Sequence, residues 1–114
     1  MVEREVNLKD LTVKAVNYLS QYYSIEEIIL FGSYVGAEND QWSDIDLAVV
    51  SPDFHGKTYE EIIQIFAELA VKYSSRLELR PYTPEDMKSA RPTNFLGYIL
   101  KNGKVIYKNN QILI

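Results

Sequence analysis

Two aspartates one residue apart, Asp44 and Asp46, head the apolar run DIDLAVV, and a Gly32-Ser33 pair closes the apolar run before it. The whole stretch, residues 29–50, reads ILFGSYVGAENDQWSDIDLAVV. On a strand, residues two apart face the same side at a spacing of about 7 Å. Asp44 and Asp46 therefore project together, and Ile45, Leu47 and Val49 are left for the opposite face. Two carboxylates so placed raise each other's pKa unless a cation screens them. The pair could simply sit in water at an exposed strand end. It could equally hold Mg²⁺, which takes one or two carboxylates and fills its remaining positions with phosphate oxygens and water.

Gly32-Ser33 supplies a complementary part. A strand-to-helix turn through glycine lets backbone N–H groups approach a ligand closely, and a helix start favours anions. Ser33 adds a hydroxyl donor. If the strands on either side are neighbours, a phosphate cradle and a carboxylate pair share one cleft, suited to a nucleoside triphosphate with its metal. Glu78, in RLELRPY, is a third carboxylate. Alternation places it on one face with Arg76 and Arg80, and Leu77 and Leu79 on the other. Two-metal phosphoryl and nucleotidyl transfer places its ions about 4 Å apart. Glu78 could complete the second metal position or accept the nucleophile's proton. Each part has a bland reading: Gly-Ser is common, Asp-x-Asp arises by chance, and Glu78 alone is a solvated strand residue. Their ordered combination is harder to obtain by accident.

The elements that must position these residues follow from hydrophobic periodicity. Leu8, Leu11, Ala15, Leu19 and Tyr22 recur at helical spacing, which predicts an amphipathic helix over 8–22. Strands are expected at 26–31 and 44–50, with a helix beginning after Ser33 and a loop through AENDQWS between them. Thr58 with Glu61 forms a capping pattern, and Ile62, Ile65, Phe66, Leu69 and Tyr73 follow, predicting a helix over 59–73. RLELRPY is the third strand. Thr83-Pro84 opens a short helix. Phe95, Leu96, Ile99 and Leu100 suggest another, and Asn102-Gly103 turns the chain into a strand over 104–107. The apolar tail NNQILI either completes the sheet or lies in an interface. The order is that of an α/β (α+β) protein, a small sheet covered by helices.

Composition narrows the class. The 114 residues fit one domain. With 46% hydrophobic and 25% charged residues, the chain has the balance of a soluble globular protein. It has no cysteine, so neither disulfides nor thiolate chemistry enter. The N-terminus is charged rather than apolar and no run reaches membrane-spanning length, so the expectation is a cytoplasmic protein without a membrane partner. The net charge of −4 is unevenly spread. Residues 1–71 carry 4 Lys+Arg against 13 Asp+Glu, and residues 72–114 carry 8 against 3. Direct nucleic-acid binding is not expected of so acidic a chain without a local basic patch. The basic C-terminal part could form such a patch, meet a triphosphate, or consist only of solvated lysines. HGKT at 55–58 lacks the first glycine of a phosphate-binding P-loop, since position 51 is Ser, and Thr58 is better explained as a cap. His55, the single histidine, makes no metal site alone.

Gly32-Ser33, ten residues, then Asp44-x-Asp46 resembles the signature of the nucleotidyltransferase superfamily that includes polymerase beta. The short chain and its ending NFLGYILKNGKVIY resemble the minimal branch, the MNT-domain proteins. The resemblance covers nearly the whole chain. It implies a polymerase beta-like fold with a small mixed β-sheet, Gly32 and Ser33 holding the triphosphate, and Asp44 and Asp46 binding Mg²⁺. Glu78 matches the third acidic position, where Asp is commoner, as metal ligand or base. It further implies an antitoxin that uses ATP to transfer AMP to a tyrosine of a partner HEPN-domain ribonuclease toxin. The presence of every core motif residue argues against a decayed enzyme. The alternatives are an antitoxin that neutralises by masking its toxin, and transfer to a small molecule or RNA, which usually needs an added substrate domain. An oligomer is left open.

Overall fold

The computed structural model describes residues 7–35 and 44–114, the side chains of Ser33 and Val35 excepted. The expected loop AENDQWS lies outside the described residues. Helix α1 spans Leu8–Leu19. Its cap is Asn7, whose side-chain oxygen accepts the Asp10 N–H at 3.0 Å. Leu11, Ala15 and Leu19 face the core. The helix stops three residues short of the expected Tyr22, because the Tyr22 and Tyr23 N–H groups both bond to the Leu19 carbonyl in a closing turn. Tyr23, not Tyr22, then enters the core, its ring 4.9 Å from that of Phe54.

Strand β1 is Glu27–Phe31 and β2 is Ile45–Val50. Between them Gly32–Val35 forms a single 3-10 turn, where a helix was expected to begin. Helix α2, Tyr59–Tyr73, matches the expected bounds, with the Thr58 hydroxyl accepting the Glu61 N–H at 3.2 Å. Strand β3 is Leu77–Tyr82 and α3 is Pro84–Lys88, started by a reciprocal Thr83–Asp86 capping box. Helix α4 covers Phe95–Asn102, β4 Lys104–Lys108 and β5 Gln111–Ile112. The tail thus completes the sheet. It turns through Asn109 (φ 49°) and Asn110 (φ 68°), two left-handed residues as a type I′ hairpin requires.

The sheet order is β3-β2-β1-β4-β5. Among the described strands only β2 and β3 pair in parallel, with α2 as the crossover that such a pair needs. One face is buried beneath α1 and α2, where Leu11, Leu19, Ile62, Phe66 and Leu69 meet Ile28, Leu30, Leu47 and Val49. A register shift between β1 and β4 lets both Ile106 and Tyr107 join this core. The other face is covered more thinly. Ile99 of α4 packs there on Ile29, Phe31 and Ala48, flanked by Tyr82, Met87 and Val105. Among the described residues, no helix is long and apolar enough to cross a membrane.

Candidate active site

The thinly covered face carries the carboxylates. Phe31, the last residue of β1, lies opposite Asp46, and Asp46 lies opposite Glu78. Neighbouring strands run about 4.8 Å apart, so the Asp46 and Glu78 side chains stand side by side. Asp44 precedes β2 and is exposed at its mouth. The next residue after Phe31 is Gly32, at φ +79°. A Cβ on Gly32 would overlap the Asp46 carboxylate oxygen Oδ2. Glycine is required there twice, by the left-handed backbone and by the carboxylate that fills the place of its missing side chain. The expected neighbourhood of the Gly-Ser turn and the aspartate pair is therefore observed. The Ser33 hydroxyl lies outside the described side chains.

Burial pushes the Asp46 carboxyl up to about 6, reinforced by its hydrogen bond with Glu78 and by the negative charges of Glu78 and Asp44. The Arg80 guanidinium pulls in the opposite direction. The folded protein thus holds a proton on Asp46 more tightly than the unfolded chain does. Its contribution to stability is fully present below about pH 4, the ordinary range of the carboxyl, and is lost as pH rises through about 6. Asp46→Asn keeps a polar group beside Glu78 without the charge. The variant is expected to melt a few degrees above wild type at pH 7.5 without added metal, with the gap closing below about pH 4. Paired melting curves across pH check this, and an equal or lower melting temperature at pH 7.5 would contradict it.

This carboxylate set suits a hard divalent cation. Among the described residues no three His, Cys, Asp or Glu side chains converge on one metal position. Asp46 and Glu78 form a close pair, with Asp44 at the rim. A pair is what Mg²⁺ takes when phosphate and water supply its other ligands.

Arg80 lies two residues beyond Glu78 on the same exposed face of β3. Its guanidinium stands 4.6 Å from the centroid of the Phe95 ring, and Phe95 meets Phe31 edge-on at 5.7 Å. Of the basic C-terminal residues, Arg80 is one that reaches the carboxylates. Arg76, expected beside Glu78 and Arg80, instead precedes β3, is buried, and sets its guanidinium 5.5 Å from the Tyr34 ring. There it packs on the 3-10 turn that begins at Gly32. Thr58 is a helix cap and His55 is exposed, as expected. The aromatic neighbours were not legible as site residues: Phe31 and Phe95 read as ordinary apolar positions, and only the strand register sets Phe31 opposite Asp46 and only the seating of α4 sets Phe95 on Phe31 and Arg80.

The family model described as Polymerase beta, Nucleotidyltransferase matches residues 13–112. The chain belongs to this nucleotidyltransferase family. No curated protein matches it. Among solved structures, it is similar to one described as "Crystal structure of the toxin-antitoxin with AMP-PNP". That likeness has a TM-score of 0.59 and 24% identity, over 91% of this chain and 75% of that one, and is a likeness of fold.

Proposed function

We propose that this nucleotidyltransferase domain is an Mg²⁺- and ATP-dependent antitoxin that transfers AMP to a tyrosine hydroxyl of a HEPN-domain ribonuclease toxin. The observation that carries the catalytic part is the placement of Asp46 between Gly32 and Glu78, with Asp44 at the rim. The toxin–antitoxin setting is supported by the fold shared with a toxin–antitoxin structure that contains an ATP analogue.

In this reading the backbone N–H groups of the Gly32-Ser33 turn receive the phosphates, and the missing side chain of Gly32 lets the Asp46 carboxylate stand against the same turn. Asp46, with Asp44 at the rim and Glu78 as a further ligand or as the base, would hold Mg²⁺, which when bound neutralises phosphate charge and supports the leaving group. Glu78 accepts the proton of the tyrosine hydroxyl. The phenolic oxygen forms its bond to the α-phosphorus as the bond to the bridging oxygen breaks, and pyrophosphate departs with that electron pair. The protein contributes position and charge rather than a covalent intermediate. The modified tyrosine leaves the toxin inactive.

Co-expression with the HEPN partner tests the reading against masking. The Asp44→Ala/Asp46→Ala protein is expected to bind the toxin and fail to restore growth. Full neutralisation by that variant would overturn the enzymatic reading.

A further inference from the structure

Phe95 and Tyr98 occupy the first and fourth positions of α4, so they lie together on the helix surface. Their rings are nearly parallel, 16° apart, with centroids at 6.1 Å. Both are about half exposed, at 46% and 51%, whereas Leu96 and Ile99 of the same helix are buried. The pair is continuous with the carboxylate site: Phe95 rests its ring on Phe31, the residue opposite Asp46, and takes the Arg80 guanidinium on its face. The shelf is also held in place. Asn94 caps α4 by accepting the Gly97 N–H at 2.8 Å. A Cβ on Gly97 would overlap the Arg91 carbonyl oxygen, so glycine lets the preceding segment pack against the helix beside Tyr98.

We propose that Tyr98 and the ring face of Phe95 that Arg80 does not cover form the shelf on which the base of the donor nucleotide stacks. This rests on the reading of the carboxylate site as a nucleoside triphosphate site. With the phosphates at Gly32 and the metal at Asp46, the base lies a ribose away, within roughly two strand spacings or about 10 Å. The shelf begins at Phe95, whose ring meets that of Phe31, the residue opposite Asp46. An aromatic face accepts any base and favours purines by their larger area, and an arginine beside it adds a cation to the stack and a counter-charge to the phosphates. The arrangement selects a purine nucleotide by stacking rather than by reading its edge.

Calorimetric titration with ATP and with inorganic tripolyphosphate, both with Mg²⁺, tests this. Phe95→Leu keeps an apolar contact for Phe31 and removes the aromatic face; Tyr98→Ala alters only an exposed side chain. Each variant is expected to bind ATP about five- to a hundredfold more weakly, the range that base–aromatic stacking carries, with tripolyphosphate affinity unchanged. Phe95→Trp is expected to retain ATP affinity, and wild type to bind ATP and GTP more tightly than UTP. An equal loss for ATP and tripolyphosphate would show that the shelf only props the sheet. Unchanged ATP affinity with a weakened complex with the protein partner would assign the shelf to that partner; both results overturn the proposal. Wild type binding tripolyphosphate as tightly as ATP would refute the shelf and leave the phosphate site standing, whereas wild type binding neither would refute both.

Discussion

The Asp44→Ala/Asp46→Ala variant loses at least about a thousandfold in nucleotidyl transfer and keeps its fold. The stabilisation that a metal gives a phosphoryl-type transition state is worth several kcal/mol, and each 1.4 kcal/mol is tenfold in rate. Asp46 dominates, because it stands between the Gly32 backbone and Glu78, whereas Asp44 is exposed at the strand mouth. Asp46→Ala alone is therefore expected to approach the double variant, and Asp44→Ala to fall between it and wild type. The fold survives because neither side chain belongs to the packed core, and Asp46 is held charged against its surroundings. Single-turnover rates with melting temperatures on the same preparations decide the matter. Transfer within tenfold of wild type would remove the aspartates from the chemistry.

Gly32→Ala is the second large effect, and Gly56→Ala is its control. Both glycines are left-handed, at φ +79° and +83°. Alanine in that region costs on the order of 1–2 kcal/mol, so both variants lose similar stability from the backbone. Only at Gly32 does the new Cβ meet anything, namely the Asp46 carboxylate; at Gly56 it meets open space. Asp46 must swing away from Glu78 or the turn must shift. A displacement of about 1 Å at a reacting centre costs on the order of a hundredfold, and Gly32→Ala is expected to lose at least that in kcat/KM. Gly56→Ala melts lower and turns over at the wild-type rate. Equal activity in the two variants would show that the close approach at Gly32 has no part in positioning Asp46.

The sequence made the parts of this site legible more readily than their juxtaposition. Helix α2 was readable to the residue, since Thr58 caps it and its apolar positions keep one period through Tyr73. Alternation in RLELRPY placed Glu78 opposite Leu77 and Leu79 in direction. It could not place Glu78 beside Asp46, because a parallel register is fixed by how α2 seats on the sheet and not by a local turn. Arg76 broke the alternation, since β3 begins only at Leu77 and the arginine turns to Tyr34. At the end of α1, spacing favoured Tyr22 while the closing turn buried Tyr23 instead. The hairpin at Asn109-Asn110 lacks the glycine that usually announces a type I′ turn, and the tail was left open between sheet and interface. Phe95 illustrates the same limit. Helical spacing marks an apolar face without saying whether all of it meets the core, and this residue meets the site.

The most direct test of nucleotidyl transfer compares ATP labelled at the α-phosphate with ATP labelled at the γ-phosphate, each incubated with Mg²⁺, this protein and the proposed HEPN-domain toxin. The account predicts α-label on a tyrosine of the partner, no γ-label on protein, and loss of both label and toxin inactivation with Asp44→Ala/Asp46→Ala. Label from the γ-phosphate would instead show phosphoryl transfer, and a stable, neutralised complex carrying no label would show an antitoxin that acts by masking.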